Sequence, residues 1–310
     1  MANIPSEIVK VARPIHWVKN FALFAALIFS GNLLSNILFL QVVLAFISFS
    51  LATSATYIFN DLLDARIDRL HPLKRSRPIA AKRLPVPSAV VALIAFALSS
   101  LYLATSLNTL FFLTIIGYLL LQAAYSLGLK NIAIVDIMVI AAGFIIRVYA
   151  GAFVINAHLS VWFLLCVISV ALFLASGKRR AELGIIAQTP GVTRKSLTRY
   201  SNNLLDSYVT MFGSAAWMSW ALFTFFESPS ATPPVWLFLA ELSRTTTINK
   251  LLMITIPVVI FGIMRYEALI FQNRSESPEK LLLTDKALMA SVILWTTLVV
   301  WILYGGITIL

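Results

Sequence analysis

Hydrophobic residues along the 310-residue chain occur in long blocks separated by short polar segments. Most blocks approach the roughly 20 residues that an α-helix needs to cross a bilayer. They lack the alternation typical of transmembrane strands, so we expect helices that satisfy their own backbone hydrogen bonds in lipid. The pattern predicts an all-α integral membrane protein with nine spans, of which the first is short. The nine blocks cover residues 20–34, 37–59, 86–104, 108–128, 132–155, 160–177, 205–226, 248–270 and 287–307.

Lys and Arg residues are unevenly divided between the two sets of loops. One set, with the N-terminal segment, holds 20 of the 24, whereas the opposite loops hold only Arg244 and Lys250. Arg147 and Arg265 fall inside the blocks. By the positive-inside rule the richer side is cytoplasmic. The sequence therefore predicts a multi-pass protein of the cell membrane with its N-terminus inside and residues 227–247 as one long external loop.

The composition narrows the class further, with 60% hydrophobic and 12% charged residues and a formal net charge of +11. Because the cations lie in short loops between apolar blocks, we read the excess as topology and expect no nucleic-acid partner. The lone Cys166 lies in an apolar block and is interpreted as a small core residue. We expect one transmembrane domain over residues 1–310, built as two four-helix halves plus a final helix. A homo-oligomer is compatible with the sequence.

Four polar residues close the second block: Asn60, Asp61, Asp64 and Asp68. If the helix continues, they fall within an arc of about 100° and form one stripe. Such a stripe repels itself unless it is neutralised, and hard oxygen ligands suit Mg²⁺, which commonly links one or two carboxylates to substrate phosphates. We therefore predict a site for a Mg²⁺-bound diphosphate at the cytoplasmic face. The alternative is that the acids are ion-pair partners of anchoring cations.

Cationic side chains surround this boundary and are candidate phosphate ligands. One group follows the stripe directly, and a second opens the loop after the sixth block. Within the fifth block, Arg147 should face the bundle because an unpaired guanidinium in lipid is costly, and Asp136 lies on nearly the same helical face. Topological anchoring or a structural polar network explains many of these residues equally well. The candidates are Lys74, Arg77, Tyr125, Lys130, Arg147, Lys178, Arg179, Glu182 and Arg265.

The pattern Asn60-Asp61-x-x-Asp64-x-x-x-Asp68 with nine predicted spans resembles the UbiA superfamily of intramembrane prenyltransferases over essentially the whole chain. Several segments resemble its decaprenyl-phosphate phosphoribosyltransferase branch. Prenyl-diphosphate users of the superfamily usually carry a second Asp-rich motif after the sixth span, where this chain has Lys178, Arg179 and Glu182. The segments are His71–Ala80, Gly143–Arg147, Lys178–Leu183 and Arg265-Tyr266.

The resemblance implies transfer of a 5-phosphoribosyl group from phosphoribosyl pyrophosphate to a polyprenyl phosphate, with release of diphosphate, for cell-wall arabinan precursors. It implies that Asp61, Asp64 and Asp68 hold Mg²⁺ on the donor diphosphate and that Asn60 helps to place it. A prenyltransferase of the same fold acting on an aromatic or other small acceptor is the first alternative. A transporter is the second, although transporter sites usually lie near the midplane and the densest motif here lies at the interface.

Overall fold

The computed structural model describes residues 4–70, 74–188, 196–227, 246–272 and 278–305. All regular structure in these ranges is helical. His71, Pro72 and most of the expected external loop lie outside the described residues. The α-helices are α1 Ile4–Ala12, α2 Phe24–Phe29, α3 Asn36–Asp68, α4 Val86–Thr105, α5 Thr109–Leu127, α6 Val135–Val154, α7 Val161–Gln188, α8 Asn202–Phe226, α9 Ile256–Phe271, α10 Pro278–Thr284 and α11 Lys286–Tyr304.

Eight helical segments in the described ranges are long and apolar enough to cross a membrane, in agreement with eight of the nine predicted blocks. They are α3 to α8, Lys250–Phe271 and α11. The first predicted block differs from expectation. Its helix begins earlier, as a 3₁₀-helix over Pro14–Leu23 that continues into α2. This Pro14–Phe29 segment, which we call the entry helix, is shorter than the eight others.

The entry helix has contacts at both ends of the bundle. Arg13, just before it, binds Asp61 near the C-terminal end of α3. At its other end, the backbone carbonyl of Ile28 accepts a hydrogen bond from Tyr304, the last residue of α11. We call the end of the bundle that carries Asp61 to Asp68 the motif end, and the other the opposite end.

Close backbone contact packs the entry helix onto α6. Gly151 of α6 lies so near Leu23 that a Cβ placed on it would come within 2.0 Å of the Leu23 carbonyl oxygen. Small residues allow helices in membranes to approach in this way, because dispersion contacts replace the hydrophobic effect that is absent in lipid. Polar contacts add to the packing, since Trp17 donates to Ser54 at 3.1 Å and Asn20 donates to Ser50 at 2.9 Å, both on α3.

An apolar cluster under the motif end positions the chain on either side of α3. Val11 of α1, Ile58 of α3 and Leu84 of the following turn are buried together in it. Glu7 reinforces the arrangement by accepting from Lys10 and from Arg83, and these two cations hold the pKa of Glu7 below its ordinary value. The segments before the entry helix and after α3 are therefore fixed against the acidic end of α3.

Candidate active site

The acidic stripe lies on a continuous helix, because α3 extends through Asp68. This confirms the helical continuation on which the predicted stripe depends. Asp61 and Asp68 are buried, and Asp64 is partly exposed. Isolated carboxylates are expensive to bury, so partners are required. Three cations from three other segments supply them.

Arg77 joins the two buried acids. Its Nη1 donates to Asp61 Oδ1 at 3.0 Å and to Asp68 Oδ2 at 2.7 Å. The turn that follows is fixed by its own backbone, because the carbonyl of Pro78 accepts from the amides of Arg83 and Leu84. The predicted site residue Arg77 therefore lies directly on the stripe.

Arg13 is a second guanidinium on the stripe and was not among the predicted site residues. Its Nη2 lies 2.7 Å from both carboxylate oxygens of Asp61, and its Cζ lies 5.0 Å from the ring centre of Tyr57. Its backbone is left-handed, with φ 54°, a conformation that a non-glycine residue adopts at a cost. The sequence signal was weak, because a cation before a first span is also what the positive-inside rule produces.

Lys130 is the third cation. Its Nζ donates to Asp64 Oδ1 at 2.6 Å and to Asn60 Oδ1 at 3.2 Å, and its side chain is 9% exposed. It lies in the short turn between α5 and α6, about 70 residues from the acids along the chain, so only the tertiary fold brings them together. The structure thus places the predicted site residue Lys130 against Asn60 and Asp64, two of the four stripe residues.

The side-chain oxygens of the stripe form two pairs. Asn60 and Asp64 accept from Lys130, and Asp61 and Asp68 accept from Arg77. Three cations balance three carboxylates. Among the described residues, no group of three or more acidic, His or Cys side chains is arranged to hold a metal ion by itself. The donor set nevertheless fits Mg²⁺, which is commonly bound through one or two carboxylates plus substrate phosphates and water. Asp61, Asp64 and Asp68 are the residues that would hold it, and Asn60 lies beside them on the same stripe.

Arg179 is fully buried and lies in a different network. Its Nε is 2.6 Å from Asp136 Oδ2, its Nη1 binds Glu182, and its Nη2 donates to the Tyr125 hydroxyl at 2.7 Å. Tyr200, just before α8, donates to Asp136 Oδ1 at 2.7 Å. Four predicted or noted residues are therefore brought together, but as partners of one another. Asp136, which the sequence places on nearly the same helical face as Arg147, pairs with Arg179.

Arg147 occupies the bundle interior, where each of its three guanidinium nitrogens donates a hydrogen bond. Nε donates to Asn20 at 2.7 Å, Nη2 donates to the Tyr118 hydroxyl at 3.0 Å, and Nη1 donates to the Gly143 carbonyl. Its Cζ also lies 5.2 Å from the ring centre of Phe49. This arrangement meets the expectation that Arg147 faces the bundle, and its contacts tie the entry helix to α5 and α6.

The remaining candidates lie elsewhere at the motif end. Arg265 of α9 forms a two-point ion pair with Asp285, at 3.0 and 2.6 Å, and Asp285 caps α11. Arg265 and the Leu288 amide lower the pKa of Asp285 to about 2. Lys74 is partly buried in the 3₁₀ turn that leads to Arg77, and Lys178 is partly buried in α7.

A helical bundle of lipid-spanning length with charged groups gathered at one end defines a multi-pass membrane protein, and comparison with known proteins makes it a membrane transferase. Residues 20–242 match the model of the UbiA prenyltransferase family, and the chain belongs to that family. The sequence resemblance to UbiA proteins is thereby confirmed.

Curated relatives align over nearly the whole chain. The decaprenyl-phosphate phosphoribosyltransferase of Corynebacterium glutamicum is 34% identical over 97% of this chain and 88% of its own length. The enzyme of the same name from Mycobacterium tuberculosis is 33% identical over 95% of this chain and 93% of its own. Both support the predicted branch over the small-acceptor alternative.

Solved structures share the fold at lower identity. A UbiA homolog from Archaeoglobus fulgidus bound to GPP and Mg²⁺ superimposes with a TM-score of 0.65 at 17% identity, covering 95% of this chain and 97% of that one. The apo UbiA homolog from Aeropyrum pernix K1 gives a TM-score of 0.56 at 14% identity, covering 95% and 99%. The predicted UbiA-like helical fold is confirmed.

Proposed function

We propose that this chain transfers the 5-phosphoribosyl group of phosphoribosyl pyrophosphate to the phosphate of a polyprenyl (decaprenyl) phosphate and releases diphosphate. The observation that carries the proposal is the gathering of Arg13, Arg77 and Lys130 on the stripe Asn60 to Asp68. Such a cluster suits a metal-bound diphosphate, because carboxylates bind the metal and the cations bind phosphate oxygens. The names of the curated relatives supply the donor and acceptor classes.

The reaction needs no nucleophile from the protein. The bond from C1 of the ribose to the diphosphate oxygen breaks, its electron pair leaves with diphosphate, and an anionic oxygen of the acceptor phosphate forms the new bond to C1. When bound, Mg²⁺ neutralises charge on the leaving diphosphate. Arg77 and Lys130 would stabilise the same charge from preorganised positions. Arg13 adds a third donor beside Asp61, and Lys74, Lys178 and Arg265 stay proposed phosphate contacts.

We further propose that all nine predicted blocks cross the membrane and that the site opens to the cytoplasm. A 3₁₀-helix rises about 2.0 Å per residue against 1.5 Å for an α-helix, so the 16 residues of the entry helix reach about 29 Å, close to the roughly 30 Å hydrocarbon core. The contact of the preceding Arg13 with Asp61 and the contact of Ile28 with Tyr304, at the two ends of the helix, support a full crossing. The loop charges favour an N-terminus on the cytoplasmic side of the cell membrane.

Transfer of label tests the proposal directly. Purified protein receives labelled phosphoribosyl pyrophosphate, polyprenyl phosphate and Mg²⁺, and label is measured in the organic phase. We expect Mg²⁺-dependent transfer that chelation of the metal abolishes. The same protein is offered a prenyl diphosphate with an aromatic acceptor. Prenylation without phosphoribosyl transfer would overturn the proposal in favour of the alternative.

Asp61→Asn is the matched site variant for this assay. It keeps the size of the side chain but removes the charge that Arg13 and Arg77 bind. We expect Mg²⁺-dependent turnover to fall below detection while the protein retains its folded elution profile. Asp206→Asn serves as the control and should retain turnover, since Asp206 of α8 is paired with Arg180 of α7 and not with a residue of the stripe.

A further inference from the structure

The turn between α5 and α6 that carries Lys130 is strained. Ile134, at the start of α6, has φ 69° and ψ −48°. A positive φ is a genuine outlier for a β-branched side chain, and this combination lies near the rare γ-turn with positive φ. We call residues 128–134 the Lys130 turn. Strain of this kind persists only where surrounding contacts impose it.

Buried contacts restrain this turn from both sides. On the α5 side, the Tyr125 hydroxyl accepts from Arg179 Nη2 at 2.7 Å. On the α6 side, Asp136 lies 2.6 Å from Arg179 Nε. One fully buried guanidinium of α7 therefore contacts residues on both flanks of the turn, with hydrogen bonds from Nη1 and Nη2 and an ion-pair contact at Nε.

Tyr200 acts on the strained residue itself. Its hydroxyl accepts the Ile134 amide at 2.5 Å and donates to Asp136 Oδ1 at 2.7 Å. Burial raises the pKa of the Tyr200 hydroxyl, and its hydrogen bond to Asp136 acts in the same direction, so the hydroxyl keeps the proton that it donates. One hydroxyl thus closes the link between the turn, α6 and the segment before α8.

We propose that Tyr200 and Arg179 are positioning residues that hold the Lys130 turn in the strained conformation from which Lys130 reaches Asn60 and Asp64. Neither residue then touches the substrate. The inference rests on the proposed role of Lys130 at the donor diphosphate. It assigns Arg179 a different task from the direct phosphate contact expected from its position in the sequence.

Tyr200→Phe tests the proposal, since it removes only the hydroxyl. Losing one buried hydrogen-bonded group releases the strained turn and misplaces Lys130, so we expect the KM for phosphoribosyl pyrophosphate to rise about tenfold. The kcat should fall as well, because Lys130 also stabilises the charge that grows on the leaving diphosphate in the transition state. Tyr208→Phe is the matched control. Tyr208 is a partly buried tyrosine of α8 that makes a ring contact with Phe212.

Ile134→Gly provides a rescue that a general loss of stability would not show. Glycine adopts positive φ without steric cost, so the turn no longer depends on the Tyr200 hydroxyl. In the double variant of Tyr200→Phe and Ile134→Gly, we expect the donor KM to return to within about threefold of the wild-type value. A KM that stays elevated in the double variant, or one that rises equally in Tyr208→Phe, would overturn the proposal.

Affinity for magnesium diphosphate, measured by calorimetry on the full chain, probes the same contact without turnover. We expect Tyr200→Phe to weaken it about tenfold and Ile134→Gly to restore it. Unchanged affinity and unchanged KM in Tyr200→Phe would refute this inference alone. Wild-type protein that binds magnesium diphosphate but transfers no phosphoribosyl group would refute the proposed function instead.

Discussion

Individual cationic side chains neutralise the three carboxylates at the end of α3. Asp61 and Asp68 are buried, and each is within 3.0 Å of the same Arg77 nitrogen. Breaking a buried ion pair by removing one partner is costly, because the other charge is left uncompensated. The cations of the site therefore have two tasks, which are to neutralise the acids and to offer donors to a phosphate.

Arg77→Gln tests whether this cation acts at the site specifically or only as part of the general positive charge of the surface. The variant removes a charge-assisted donor worth about 1.5–3 kcal/mol, so we expect kcat/KM for the donor to fall by about 10- to 100-fold. Arg75→Gln is the control, since Arg75 lies in the same 3₁₀ turn with an exposed side chain and should stay within about twofold. Equal losses in the two variants, measured by label transfer, would contradict a specific role for Arg77.

The stripe could be predicted from sequence because its geometry is local. Helical periodicity alone places Asp61, Asp64 and Asp68 on one face once the helix continues past the apolar block. Arg13 could not be predicted, since its approach to Asp61 depends on a left-handed backbone and on the packing of α1. The pairing of Asp136 with Arg179 was missed for the same reason, because it joins two helices and not one.

At the scale of helices, the entry helix packs so closely on α6 that the contact leaves no room for a side chain at Gly151. Gly151→Ala would place a methyl group within 2.0 Å of the Leu23 carbonyl oxygen, and backbone cannot move aside as a flexible side chain can. We expect destabilisation of about 1–3 kcal/mol, seen as a fall in Tm of several degrees in detergent. Activity should fall with it, because Arg13 immediately precedes the entry helix.

Gly117→Ala on α5 is the matched control for this packing. A Cβ at Gly117 meets no atom within 4 Å, and alanine favours a helix interior by about 0.5–1 kcal/mol over glycine. We expect its Tm to equal or exceed that of the wild type. A Gly151→Ala protein as stable as Gly117→Ala would show that the entry helix and α6 can move apart without a loss of stability.

The entry helix also shows where sequence patterns underestimate an element. Its apolar block is short by α-helical measure, which made the first span the least defined of the nine. The 3₁₀ conformation of Pro14–Leu23 lengthens the segment for the same number of residues. Hydrophobic periodicity does not report this choice, because backbone packing against α6 and the polar contacts of Asn20 are tertiary.

For the whole molecule, the side of the membrane that the site faces depends on whether the entry helix crosses the membrane. Contacts place Arg13 at the motif end and Ile28 near Tyr304 at the opposite end, so residues before and after the entry helix should face different compartments. The symmetry of two four-helix halves stays a prediction. We expect the long tail of a polyprenyl phosphate to stay in lipid while its phosphate reaches a site at the end of the bundle, where the aqueous donor also arrives.

Cysteine labelling measures both the crossing and its direction. The single native cysteine, Cys166, is buried and should stay unlabelled, so the wild-type chain is the blank. We expect a membrane-impermeant maleimide to label Asn36→Cys in intact cells and Ser6→Cys only after permeabilisation, because 20 of 24 cations hold the N-terminal side inside. Labelling of both from one side would reduce the count to eight crossings. Labelling in the reverse order would place the acidic stripe outside, where no cytoplasmic phosphoribosyl donor reaches it, and would overturn the assignment of the site to the cytoplasmic face.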